Sequence, residues 1–228
     1  MRKLTEQELD QIKRAIAAKE LTSAEILLEI YDHYISHLES FEESEFDPQL
    51  AELEGQWTSA HCKKLQYDLE KSISSSLRST QWQVVKTYFT WPRFIFTITM
   101  VAFLSLLVNL LAFKTQIVLL FGLPLAYLAG FALLVNLQNR ERMGPIKNIL
   151  GKHVKKITSI FNAKLTLSIV FPLHFYNLFL NLPRLFGWTD MIPESTLNLL
   201  SVGFCFLMVL HSLSIYEAWK IKSKTALV

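Results

Sequence analysis

The chain contains little cysteine, glycine or proline for its size. Its 228 residues include two Cys, seven Gly and seven Pro, whereas 51% are hydrophobic and 12% are aromatic. Two cysteines cannot build the disulfide framework of a small secreted protein, so we expect reduced thiols in a cytoplasm-facing protein. The first residues, MRKLTEQELD, carry charge without a following apolar core and therefore do not resemble a signal peptide.

Positive charge is scarce in the first part of the chain, and negative charge is scarce in the rest. Residues 1–86 contain 10 Lys and Arg against 16 Asp and Glu, a net charge of −6; residues 87–228 contain 13 against 4, a net charge of +9. Neutralising nucleic-acid phosphates needs clustered cations, so the acidic part argues against a nucleic-acid partner. We expect it to bind a protein partner instead.

Motifs of catalysis are also missing from the sequence. It contains no GxSxG, HExxH, Walker A or GxGxxG motif, and no pair of carboxylates lies within an apolar run. The sequence therefore predicts neither an enzyme nor a bound cofactor.

Four uncharged apolar runs follow the acidic part. Each has about the 17–25 residues that a helix needs to cross a bilayer, and none keeps the polar stripe that is usual in a core helix of a soluble protein. The predicted fold is all-α, with a soluble acidic helical domain at residues 1–90 and a four-helix transmembrane bundle at residues 91–219. The predicted spans are residues 94–113, 117–137, 165–182 and 197–216.

The distribution of cations predicts the orientation of these spans. The connection 138–164 holds seven Lys and Arg against the single Glu141, and the basic tail 220–228 adds three Lys. Lys and Arg in short loops are retained in the cytoplasm, so both termini and the connection are predicted to lie on the cytoplasmic side of a bacterial inner membrane.

The basic connection also alternates apolar residues with lysines, as an amphipathic helix at a membrane surface does. Its predicted contacts are anionic lipid headgroups or the acidic N-terminal domain. The cations expected to make them are Arg140, Arg142, Lys147, Lys152, Lys155 and Lys156.

Helix start signals organise the acidic domain. Thr5 with Glu8, and Thr22 with Glu25, each match a capping box, and Asp47–Pro48 matches the start of a third helix. The second helix is predicted to form the centre of the domain. Its buried stripe is expected to contain Ile26, Leu27, Ile30, Tyr31, Tyr34, Ile35 and Leu38.

The stretch KELTSAEILLEIYDHYISHLES, followed by FDPQLAELEGQW, places Glu29, Ile30, Asp32 and His33 on this second helix. With this pattern, roughly the first 90 residues resemble the HAAS-type helical prefix domain, which precedes transmembrane segments in bacterial proteins, especially membrane proteins of Bacteroidota. The resemblance implies a cytoplasmic regulatory or interaction module without catalytic residues. We therefore expect a membrane-anchored regulatory or scaffold protein, whose spans anchor, sense or form homo-oligomers.

One candidate site lies on the polar face of the second helix. Glu29, His33 and His37 follow one another at intervals of four residues, and a His pair one turn apart can hold zinc or a similar metal. The alternative is a solvated helix face with pairing between neighbouring Glu and His.

The second candidate site lies within the apolar runs. His174 and Asn177 in the third run and His211 in the fourth are polar at membrane depth. They would line the path of a small transporter or channel component, ligate haem, or hydrogen-bond neighbouring helices. Pro172 and Pro124 free backbone carbonyls nearby, which makes the third run the expected location of an internal cavity.

Overall fold

The computed structural model of the chain describes residues 2–111, 115, 120, 122–176 and 193–223. These residues form α-helices, one short 3₁₀-helix at Glu43–Glu45 and no strand, which confirms the all-α prediction for the described part. The α-helices are α1 Glu6–Ala17, α2 Ala24–Leu38, α3 Phe46–Gln56, α4 Ser59–Tyr88, α5 Arg93–Leu110, α6 Leu123–Leu150, α7 Ile160–Tyr176 and α8 Glu194–Lys222.

The helices group into two compact units whose boundaries fall inside α4, α6 and α7. Unit 1 is Met1–Ser74 with Asn136–Ala163, and unit 2 is Ser75–Val135 with Lys164–Val228. Most of the connection that the sequence analysis placed with the membrane part thus belongs to the same unit as the N-terminal helices. We call Asn136–Ala163 the basic segment.

The predicted capping box of α1 is confirmed. Glu8 accepts hydrogen bonds from the backbone N–H and the hydroxyl of Thr5, at 2.7 and 2.9 Å, and its own N–H donates to Thr5 Oγ1 at 3.3 Å. Arg2 donates to the same carboxylate at 2.6 and 3.1 Å. The bonds from Arg2 lower the pKa of Glu8 from 4.5 to about 2; burial opposes this shift, and the bonds from Thr5 add to it.

Replacement of Glu8 by Gln is therefore expected to destabilise α1 by about 1 kcal/mol at pH 7, because the ionised carboxylate is lost. In the unfolded chain Glu8 titrates at its usual pKa, whereas the folded carboxyl stays ionised until about pH 2. The stabilisation is thus complete above pH 4.5 and is lost as the pH falls towards 2. Amide hydrogen exchange of α1, compared between variant and parent at equal pH, measures the difference.

Glu6→Gln is the matched control, since exposed Glu6 lies in the same helical turn. It removes the same charge from the same helix end without removing the capping box. Equal effects of the two substitutions would contradict the role given to Glu8.

The predicted cap of α2 is wrong by one residue. Ser23, not Thr22, caps the helix: Ser23 Oγ accepts from the Ile26 N–H at 3.3 Å, and the helix begins at Ala24. The Thr22 carbonyl instead accepts from the Thr158 N–H at 2.8 Å. A partner so distant in sequence leaves no sign in the local Thr-x-x-Glu pattern, so the pattern located the helix but assigned the wrong hydroxyl.

The predicted start of α3 is also displaced. The helix begins at Phe46, directly after the 3₁₀ turn, so Asp47 and Pro48 lie within the first helical turn. A proline is tolerated there because N–H groups of the first turn have no partner inside the helix.

The core of unit 1 surrounds α2, as predicted. Five residues of the expected stripe are buried, and Tyr31 and Ile35 pack partly buried against them. The same core also receives side chains from the basic segment, so the segment is part of the folded domain. These side chains are Met143, Ile146, Leu150, Val154 and Ile157.

Unit 2 contains the longest apolar helices. The helix α5 and the Asn198–Lys222 part of α8 are long and apolar enough to cross a membrane, and Ile160–Pro172 is a shorter apolar stretch. Several residues of the predicted spans lie outside the described residues: 112–113, 117–119, 121 and 177–182. The helices α5 and α8 pack against each other, with Leu104, Val108, Leu120 and Cys205 forming a buried cluster.

Candidate functional site

The basic segment meets α2 at a corner where two helices begin. The Glu25 carboxylate, in the first turn of α2, accepts from the Ser159 hydroxyl at 2.7 Å and from the Ile160 N–H at 3.2 Å. Ser159 also accepts from the Asn162 N–H at 3.3 Å, so it caps α7. Anions are favoured at helix N-termini, and one carboxylate here serves both α2 and α7. Glu25 thus fixes the beginning of α7 to the N-terminal domain.

One further contact holds this corner, and another lies earlier in the segment. At the corner, Gln66 on α4 accepts from the N–H groups of Thr22 and Ser23 at 3.2 and 3.1 Å. Six residues before Ser159, His153 Nε2 lies 2.9 Å from the Asp10 carboxylate of α1. The basic segment is therefore attached to α1 and α2 directly.

The cations predicted to contact lipid or the acidic domain all lie on the exposed side of the basic segment. Contacts to the N-terminal helices include those of its apolar residues, of His153 and of the Thr158–Ser159 corner. The apolar residues of the segment thus lie in the core of unit 1, while these cations are exposed. The exposed set consists of Arg140, Arg142, Lys147, Lys152, Lys155 and Lys156.

In unit 2, His211 of α8 connects three helices. Its Nε2 lies 3.1 Å from the Ser168 carbonyl oxygen of α7, and its Nδ1 lies 3.1 Å from Gln81 Nε2 of α4. A carbonyl oxygen only accepts, so Nε2 carries the proton and Nδ1 accepts from the Gln81 amide. Both nitrogens of the neutral imidazole are thus engaged in bonds between helices.

Pro172 explains why the Ser168 carbonyl needs this donor. In an α-helix the N–H of residue 172 would donate to the carbonyl of residue 168, but proline has no N–H. His211 supplies the missing donor from the neighbouring helix. The freed carbonyl was expected from the sequence; its partner was not.

Cys205 forms a second contact of the same kind. Its thiol is buried and donates to the Leu120 carbonyl oxygen at 3.0 Å, and Pro124 follows Leu120 by four residues. Cys205 and His211 of α8 thus each donate to a backbone carbonyl that lies four residues before a proline. Cys205 was not identified as a donor from the sequence, where it is one uncharged residue within an apolar run.

A charged cluster ties the end of α4 to α5 and α8. Arg93 donates to both oxygens of Glu217 at 3.0 Å, and the Tyr88 hydroxyl donates to the same carboxylate at 2.8 Å. Burial and the bond to Glu217 raise the pKa of Tyr88 to about 12, so the hydroxyl stays protonated as a donor. These three residues were not identified from the sequence. The single Glu near the end of an apolar run was the available signal.

The structure describes the other two predicted polar positions of the apolar runs only in part. The backbone of His174 forms part of α7, but its side chain lies outside the described residues, and so does the whole of Asn177. A site that combines them with His211 therefore stays a prediction.

The metal candidate on α2 has other contacts. The His33 ring lies 5.1 Å from the Trp57 ring and 6.3 Å from the His37 ring, while His37 Nε2 lies 3.2 Å from Gln49 Oε1. Within the described ranges, no three His, Cys, Asp or Glu side chains form a group that could hold a metal, the Glu29 set included. Ring packing and hydrogen bonding account for the two histidines.

Comparison of the chain with models of protein families, with curated proteins and with solved structures gives no match.

Proposed function

We propose that the chain is a membrane-anchored regulatory or scaffold protein, in which unit 2 lies in a bilayer and unit 1 is a cytoplasmic domain that binds a protein partner. The supporting observation is the distribution of exposed apolar side chains. Of the 24 large hydrophobic residues exposed in the described part, Tyr67 and Leu137 belong to unit 1, and the others belong to unit 2.

Lipid is the environment that accommodates this surface. Exposed apolar area costs about 25 cal/mol per Å² in water, and soluble monomers rarely expose large contiguous patches of it. In α5 only 17% of the apolar window is buried, and in α8 only 33% is. A core helix of a soluble protein would be mostly buried, so these fractions favour contact with hydrocarbon chains.

The proposal also includes the number of membrane spans and their orientation. Four spans, with both termini and the basic segment in the cytoplasm of a bacterium, agree with the cation distribution. In the described part, all four apolar runs are mainly helical. A regulatory module of the HAAS type agrees with the pattern at Glu29–His33 and with a unit 1 that has its own core.

A small transporter or channel component is the alternative function. It would use polar positions of α7 and α8, of which His211 is the described example. Because both ring nitrogens already bond neighbouring helices, this geometry favours packing over proton or substrate transfer.

Single-cysteine labelling in vesicles tests the anchoring and the orientation. The native Cys62 and Cys205 are buried, so the parent chain is the unlabelled control. An impermeant maleimide is expected to label Lys156→Cys only in inside-out vesicles and Thr115→Cys only in right-side-out vesicles, while alkaline carbonate leaves the chain in the membrane. Release by carbonate would contradict anchoring, and labelling of both positions in one vesicle type would contradict the topology.

A further inference from the structure

A groove of about 500 Å³ lies on the basic segment, and three lysines line it: Lys147, Lys152 and Lys155. The remaining lining residues are Asn148, Gly151, Val154 and Ile157, so the lining contains no carboxylate. Among the ion pairs of the described residues, none involves these three lysines. The groove therefore concentrates positive charge that the protein itself does not neutralise.

The fold holds the backbone of this groove in place. Leu150 is fully buried in the core of unit 1, and the lining residues Val154 and Ile157 are largely buried there too. At the end of α6 the Gly151 N–H donates to the Lys147 carbonyl at 2.7 Å. A Cβ at Gly151 would lie 2.2 Å from that oxygen, so only glycine permits this close turn. The lysines thus project from a backbone whose neighbouring apolar residues are anchored in the core of unit 1.

We propose that this groove binds the phosphate of an anionic lipid headgroup. Lysine ammonium groups are compact cations suited to phosphate, and an anion among three of them relieves their mutual repulsion. Asn148 offers an amide donor, and Val154 and Ile157 provide apolar contact for the carbons next to the phosphate.

The choice of a lipid rests on the proposed membrane anchoring. The groove residues lie between the apolar part of α6, which precedes them, and the apolar stretch Ile160–Pro172, which follows them. In a membrane-anchored chain, the lysines are therefore tethered within reach of headgroups. Free inorganic phosphate offers the same chemistry, and the experiment separates the two sources.

Native mass spectrometry of the purified full chain with dioctanoyl phosphatidic acid measures this binding, with dioctanoyl phosphatidylcholine as the zwitterionic comparison. The triple variant Lys147→Gln, Lys152→Gln, Lys155→Gln is expected to lose at least about tenfold in affinity for phosphatidic acid. The matched triple variant Arg140→Gln, Arg142→Gln, Lys156→Gln removes the same charge from exposed positions of the same segment that do not line the groove. It is expected to lose less than about twofold.

Equal losses in the two triple variants would overturn the groove as a site, since overall charge alone would then explain binding. Displacement of the lipid by equimolar inorganic phosphate would overturn the choice of a lipid. These soluble short-chain lipids also bind outside a membrane, so the assay gives an answer even if carbonate releases the chain. Failure of the anchoring proposal and failure of the groove proposal are thereby distinguished.

Discussion

Replacement of Leu150 by Ala is expected to destabilise unit 1 by about 2–5 kcal/mol, the usual cost of such a cavity in a packed core. Leu150 is fully buried, and it belongs to the same cluster as Ile12, Ile30 and Leu53. The substitution is therefore expected to increase amide hydrogen exchange in α1 and α2, more than 100 residues earlier in the chain. Exchange measured by mass spectrometry on the purified full chain, together with thermal unfolding, reads out both effects.

Leu137→Ala is the control for this experiment. Leu137 is in the same unit and is 55% exposed, so its truncation is expected to change unfolding by less than about 0.5 kcal/mol. If Leu150→Ala left exchange in α1 and α2 unchanged, the basic segment would not be a structural part of the N-terminal domain. Its apolar face would then be available to a membrane surface, as one interpretation of the sequence had it.

The spacing of apolar residues in the basic segment predicts a buried face but does not predict what covers that face. Its spacing of Ile146, Leu150, Val154 and Ile157 indicates that one face is buried, but an amphipathic face is compatible with lipid, a partner or the chain's own core. The structure buries these four residues in the core of unit 1, but the expected amphipathic helix is wrong beyond Leu150, where α6 ends; Val154 and Ile157 lie outside any helix. Choosing among these requires knowledge of contacts over about 100 residues, which periodicity does not contain.

Two features that depend only on neighbouring residues were predicted correctly. The bonds between Thr5 and Glu8 lie within one turn, and the α2 stripe follows from helical spacing alone, so both are present in the structure. Thr22 shows the limit of this approach, because its bonds to Thr158 and Gln66 exclude it from the capping role that its spacing suggests.

In unit 2, too, the sequence predicts the local part of the site but not the contacts between helices. That Pro172 frees the Ser168 carbonyl follows from the chemistry of proline and from counting four residues back. That His211 supplies the donor, and that Gln81 completes its hydrogen bonding, depends on which helices pack together. Gln81 lies in a polar, serine-rich part of α4, where nothing in the sequence distinguishes it from its neighbours.

His211→Leu is expected to destabilise unit 2 by about 1–2 kcal/mol, because the Ser168 carbonyl and the Gln81 amide both lose a partner. Pro172→Ala restores an N–H that can donate to Ser168 within α7, so the same His211 substitution should cost less in that background. A double-mutant cycle on thermal unfolding of the full chain in detergent measures this coupling, which we expect to be about 1 kcal/mol.

Ser212→Ala is the matched control on α8. The Ser212 hydroxyl is buried but donates to Met208 within its own helix, so its loss is expected to show no coupling to Pro172. Additive effects of His211→Leu and Pro172→Ala would refute the role of His211 as the donor that replaces the proline N–H. Full stability of His211→Leu with loss of cellular function would instead favour the transporter alternative, because the imidazole would then be needed for something other than packing.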